Sequence, residues 1–301
     1  MRIGISLTSG RRGDNPREGA RWMVERTRAA RDAGLDSLFV GDHHSTGAAY
    51  YQNTPILGRL LAEWDDRPAG CLFLLPLWNP VLVAEQVGTL AAIAHGRFIF
   101  QCGLGDDRRQ FAAMGANIKT RPSAFEESLS IVKRLLAGER LSSDGRFRFE
   151  GAKVDPRPAE PVEYWIGGSA PPAIERAARL GDGWLAAPNL SPAQAREQAA
   201  QYLAERARLG KTPSAVAIRR DVFVAATEEE ARRVAEPIVS GGYRGFDPAA
   251  LTWGTPEQVA QAFRDYAAMG YTDIIVRHLT DNQDQVLTSL AELAHVVRLL
   301  R

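Results

Sequence analysis

Cysteine is nearly missing from this sequence: Cys71 and Cys102 are the only two in 301 residues. Both fall in runs that read as buried strands, so a disulfide scaffold is not expected and a reducing compartment suits the chain. Long apolar runs are missing as well. None approaches the ~18 residues of a membrane-crossing helix, and Arg2-Ile-Gly-Ile-Ser-Leu7 reads as a strand rather than as a basic region followed by an apolar one. A cytoplasmic protein is the expectation. There is no excess of charge of either sign, since 37 basic and 36 acidic residues leave a net +1. That balance supplies no field for a nucleic acid or a membrane surface, and the pairs Arg11-Arg12 and Arg219-Arg220 read as solvated faces. What remains, 45% hydrophobic and 24% charged residues, is the make-up of a globular protein with a sizeable core.

The most informative stretch is residues 71–106. Residues 72–75 form a short apolar run of the kind buried on both faces of a parallel sheet. From Pro80, the apolar positions Val83, Val87, Leu90 and Ala94 recur at helical spacing, with proline at a helix start where its missing N–H costs least. Residues 97–102 read as a second buried strand running into Gly103-Leu104-Gly105, a backbone that can lie close to a ligand. The same rhythm extends on either side, with further strands expected at 3–7, 37–41, 162–166, 184–187, 215–225 and 272–276. Eight strands alternating in order with helices favour an α/β fold of the (β/α)8 TIM-barrel type over an open doubly wound sheet, as one domain over residues 1–301. Residues 138–160 read as an inserted hairpin and a candidate lid, and residues 241–254 as a glycine-rich loop.

In such a barrel the chemistry sits at the carboxyl ends of the strands. That selects residues 6–8, 42–44, 76–78, 103–106 and 167–169, with Asn189 and Arg277-His278. Ile-Gly-Gly-Ser169 precedes a helix, where free N–H groups and the helix dipole suit a phosphate, although a plain tight turn explains the same residues. Asp42-His43-His44 invites a metal reading. Adjacent residues of an extended chain point to opposite sides, however, so His43 and His44 cannot easily share an ion, and a single imidazole acting as acid, base or donor is the better reading. Loop capping is the bland alternative. Trp78, Trp253, Tyr50 and Tyr51 fall in loops and could wall a flat ligand.

These motifs in order resemble the luciferase-like monooxygenase superfamily, the barrel flavoenzymes that include bacterial luciferase and the F420-dependent reductases. The resemblance rests on Asp42-His43-His44, Leu-Pro76, Asn-Pro80, Ala84-Glu-Gln, Thr89-Leu, Gly96-Arg-Phe98, Gly103-Leu-Gly105, Ile-Gly-Gly-Ser169, Ala-Arg-Leu-Gly-Asp-Gly-Trp184 and Gly254-Thr-Pro-Glu257. It implies a flavin-dependent oxidoreductase, a monooxygenase or a reductase, that takes FMN or F420 and a small organic substrate. It further implies that the ring lies near a bulge, with a non-proline cis peptide, at Cys71, Leu72 and Phe73. Leu104 would flank the ring with Gly103 and Gly105, while Gly167, Gly168 and Ser169 would contact the phosphate. His43, with Asp42 and His44 beside it, matches the histidine at the ring, and Asp106 is a second candidate for proton transfer. Leu104 departs from both branches, since F420 enzymes often carry Thr or Ser there and FMN enzymes Arg. Relatives commonly form homodimers through the helices after strands two and three. The competing readings are a flavin-binding barrel without catalysis and a metal-dependent hydrolase on the same fold.

Overall fold

Eight parallel strands close into a barrel in the computed structural model, which describes residues 1–11 and 15–301. In chain order they are β1 (Arg2–Leu7), β2 (Ser37–Val40), β3 (Ala69–Leu74), β4 (Phe98–Gly103), β5 (Glu163–Gly167), β6 (Gly183–Ala186), β7 (Ala215–Val224) and β8 (Asp273–His278). Each pairs with the next, and β8 returns to β1 through Arg2↔Asp273 to Ile5↔Val276. The strands are short and buried on both faces because helices cover the outside and side chains fill the inside. Closure demands close approach in places. A Cβ on Gly70 of β3 would stand 1.8 Å from the Ile99 carbonyl oxygen of β4, so only glycine fits.

Ten helices among the described residues surround the strands: α1 (Pro16–Asp32), α2 (Asn53–Leu61), α3 (Pro80–Ile93), α4 (Arg108–Ala113), α5 (Arg121–Leu136), α6 (Pro171–Leu180), α7 (Pro192–Arg208), α8 (Glu228–Ser240), α9 (Pro256–Ala268) and α10 (Gln283–Leu300). Side chains written into the sequence start several of them. Asn79 caps α3 by accepting from the Val81 and Leu82 N–H groups, and Thr255 with Gln258 forms a reciprocal capping box at α9. Ser191 with Gln194 does the same at α7. None of these helices is long and apolar enough to cross a membrane.

Two expectations change here. Strands Leu141–Ser143 and Phe149–Ala152 do make the inserted hairpin. It joins the end of α5 to the start of β5, so it enters from the amino side of the barrel, opposite the mouth. Arg146 and Phe147 bond Glu127 on the outer face of α5, Val154 is buried, and the Pro156 carbonyl oxygen abuts Gly88 of α3. No residue of 138–160 lines the mouth cavity, and the lid reading is therefore set aside. The glycine-rich loop, second, ends in a short strand, Leu251–Gly254, added in parallel to the outer half of β7. Of the Arg11-Arg12 pair, Arg12 lies outside the described residues.

Candidate active site at the barrel mouth

Period-two alternation along each strand decides which side chains enter the barrel. Phe39, Ile99, Trp165, Ala215, Ala217 and Ile275 form a closed apolar layer inside it. The next residues of the same parity stand above that layer: Gly41 and His43 after Phe39, Gln101 and Gly103 after Ile99, Gly167 after Trp165, Arg219 after Ala217, and Arg277 after Ile275. They line a cavity of about 720 Å³ at the carboxyl ends of the strands. Leu72 and Leu74 contribute the β3 wall.

The same alternation corrects part of the expected site. Cys71 and Phe73 have the opposite parity and are fully buried, Phe73 stacking on Phe100 at 4.9 Å, and neither lines the cavity. Burial raises the thiol pKa of both Cys71 and Cys102, so they are inert core residues. The expected bulge and non-proline cis peptide are not found. The β3–β4 register runs without interruption from Ala69↔Phe98 to Leu74↔Gly103, and the cis peptide among the described residues is Asp155–Pro156.

At the β2 corner the three consecutive polar residues separate. Asp42 is fully buried and accepts from the Leu74 N–H at 2.7 Å and the Trp78 indole N–H at 2.8 Å. His44 turns away from the cavity, with Nε2 3.3 Å from Asp42 and its ring 5.1 Å from that of Trp78. Its expected contact with a cofactor is thus corrected to a supporting position. His43 alone presents an imidazole to the cavity. Its ring meets the edge of Tyr50 at 5.5 Å, and Nδ1 lies 3.1 Å from the Gln110 amide. Partial burial lowers the His43 pKa, with Asp42 opposing and Arg244 and Arg277 assisting. Burial pushes Tyr50, also on the cavity wall, up to about 12, so it stays a phenol. Of the aromatic residues expected around a flat ligand, only Tyr50 lines the cavity. No three His, Cys, Asp or Glu side chains among the described residues gather as metal ligands.

The β4 and β5 ends form a second corner. Gly103, Leu104 and Gly105 line it, and Asp106 stands exposed at the rim. Gly105 has φ +70°, a left-handed conformation that glycine adopts without strain. At the β5 end, Gly167, Gly168 and Ser169 lead into α6, but Pro171 and Pro172 occupy its first turn and carry no N–H. The Ala173 N–H is already bonded to the Ala170 carbonyl. The supply of free N–H groups expected at this helix start is therefore poorer than the glycines suggested. Side chains compensate: Ser169 Oγ and Arg121 Nε both line the corner, buried and without a hydrogen-bond partner among the described residues. The Trp184 indole donates to the Gly168 carbonyl at 2.7 Å and fixes the turn.

The β7–β8 wall was not anticipated. Arg220 is fully buried and Arg219 half-buried, so neither is a solvated face. Arg219 points into the cavity beside Asp221 at 2.9 Å, whereas Arg220 faces outward and ties the Pro188, Leu190 and Ala250 carbonyls together. Arg277 bonds Thr8 at 3.2 Å. Arg244 arrives from the glycine-rich loop in a left-handed conformation, φ +51°, between Gly242 and Gly245, also at positive φ. Asp221, fully buried, lies 2.9 Å from Arg219 and 3.9 Å from Arg244, and it also accepts from Tyr243 at 2.8 Å. Burial, aided by Arg277 and Arg244, brings Arg219 down to about 10. Among the described residues, three cations against one anion on this wall leave it receptive to an acidic ligand group. His278 faces the other way and is buried, its pKa pushed to about 3 by burial and Arg26.

The family described as luciferase-like monooxygenase matches residues 1–251. The F420-dependent glucose-6-phosphate dehydrogenase of Intrasporangium calvum is 30% identical over 179 residues, 56% of this chain and 54% of that protein. The chain thus spans about half the length of that relative. The enzyme of the same name from Kribbella flavida is 25% identical with 99% of each chain covered. The monooxygenase RslO1 from Streptomyces bottropensis superposes with a TM-score of 0.88 at 19% identity, covering 100% of both chains, which shows a common fold.

Proposed function

The chain belongs to the luciferase-like monooxygenase family, and on that premise we propose an F420-dependent oxidoreductase that passes a hydride to or from a small substrate carrying an acidic group. The observation that carries this reading is the pairing, across one cavity, of a corner with two unpartnered buried polar atoms, Ser169 Oγ and Arg121 Nε, and a wall of three arginines. The corner fits a cofactor phosphate, because buried polar atoms are rarely left unpaired and a phosphate supplies acceptors to both. Gly103 and Gly105 keep the adjoining backbone open for the ring. F420 is preferred over FMN because the two dehydrogenases named above, 30% and 25% identical, are F420-dependent.

When bound, the deazaflavin supplies the two-electron hydride chemistry. The chain's own residues orient and shield: Leu72, Leu74 and Leu185 give apolar walls, His43 faces the reacting atoms, and Arg219, Arg244 and Arg277 receive the substrate's anion. Asp106, exposed at the rim, is placed to pass protons to solvent. The reading includes a cytoplasmic homodimer. Leu82 and Ile93 on α3 are 51% and 47% exposed, apolar surface that a second copy would cover, and sedimentation of the purified chain tests it.

Ser169→Ala and Arg121→Met are each expected to weaken F420 binding about 10- to 100-fold, the scale of a lost charge-assisted hydrogen bond. Quenching of cofactor fluorescence measures it, and parent-like binding by both variants would refute the corner's role. Arg277→Met is expected to raise KM about tenfold or more for carboxylate- or phosphate-bearing substrates while leaving F420 affinity within about threefold. An unchanged KM would remove the arginines from substrate recognition.

A further inference from the structure

Building on the reading that His43 faces the reacting atoms, we infer that Gln110 holds His43 as the neutral imidazole with its proton on Nε2, making it a hydrogen-bond donor to the ligand and not a base. Gln110 sits on α4 and is buried. Its amide has two unlike ends, and the surroundings identify them. The backbone N–H of His44 lies 2.9 Å from Oε1. A backbone N–H can only donate, so the atom it meets is the carbonyl oxygen. The NH2 end is then the one 3.1 Å from His43 Nδ1.

An N–H aimed at Nδ1 requires a lone pair there. Nδ1 is thus unprotonated, and the proton of the neutral ring is on Nε2. A carbonyl facing Nδ1 would favour the imidazolium; an NH2 group facing it opposes it, by setting N–H against N–H. The charges around the ring do not reverse this. Burial of the ring, the largest influence, lowers the His43 pKa; Asp42 favours the charged form but does not outweigh burial, and Arg244 and Arg277 act with it. The Tyr50 edge contact, at 86° between planes, keeps the ring from turning over. Both nitrogens are then assigned, and His43 has no lone pair to offer toward the cavity. Its role is to donate to an oxygen that gains negative charge, a function met by neutral imidazoles aimed at developing oxyanions. Gln110 acts through His43 and is a positioning residue.

The test is the histidine 15N NMR spectrum of the cofactor-free protein, with the His43 signals assigned by their loss in His43→Asn. The expected result is a pyridine-like Nδ1 and a pyrrole-like Nε2 at neutral pH. In Gln110→Glu the carboxylate accepts from both the His44 N–H and His43 Nδ1, so the proton moves to Nδ1 and the His43 pKa rises by about one unit or more. A pyrrole-like Nδ1 in the parent, or two tautomers in exchange, overturns the inference. If Gln110→Glu fails to fold, the parent spectrum still decides. Because no cofactor is present, the outcome is independent of whether the chain takes F420.

Discussion

Asp42→Ala is expected to unfold at roughly 6 °C below the parent, a loss of about 3 kcal/mol at ~2 °C per kcal/mol for a chain of this size. The reason is local. Asp42 is fully buried, and its carboxylate is the acceptor for the Leu74 N–H and the Trp78 indole N–H, with His44 Nε2 at 3.3 Å. Removing it leaves two buried donors without partners and a void of carboxylate size. Asp42→Asn keeps one acceptor and is expected to lose about half as much. Since Leu74 lines the cavity, the Ala variant also loosens the mouth, and its affinity for F420 is expected to fall with its stability. Thermal unfolding followed by circular dichroism checks the first result. A melting temperature within about 1 °C of the parent would show that these hydrogen bonds contribute little.

His43→Ala is expected to lower kcat by about 10²- to 10³-fold, as loss of one donor aimed at a developing negative charge does, with F420 affinity changed by less than about threefold. The conservative variant separates two roles. Glutamine can donate a hydrogen bond but cannot take up a proton, so His43→Gln is expected to recover activity to within about tenfold of the parent. If His43→Gln were as inactive as His43→Ala, His43 would be the proton acceptor, and its assignment as a fixed donor would fail. Steady-state kinetics with F420 and a reactive substrate, for the three proteins side by side, gives the comparison.

The fold was legible in the sequence because barrel strands are short apolar runs punctuated by glycine and proline, and β1 to β8 lie where those runs fall. The candidate site was legible only where chemistry and strand end coincide, as at His43 and at Gly167-Gly168-Ser169, which line the cavity. Parity was the signal left unused. Residues 215, 217, 219 and 221 of β7 share one face, which puts Arg219 and Asp221 inside the barrel and Arg220 outside, yet a pair of adjacent arginines reads more simply as solvated. The same counting would have separated Leu72 from Cys71 and Phe73, whose side chains pack outward. Arg244 and Gln110 were beyond that signal. Arg244 reaches the cavity through a loop whose left-handed residues at 242, 244 and 245 are not specified by any repeat, and Gln110 matters only because a six-residue helix brings it against two histidines more than sixty positions away.

Side-by-side titration of the purified chain with F420 and with FMN, read by quenching of each cofactor's own fluorescence, tests the central claim most directly. Saturable F420 binding in the low micromolar range is expected, weakened about tenfold or more in Ser169→Ala, with FMN binding at least about tenfold weaker than F420 in the parent. Tighter binding of FMN than of F420, or no saturable binding of F420, would contradict it.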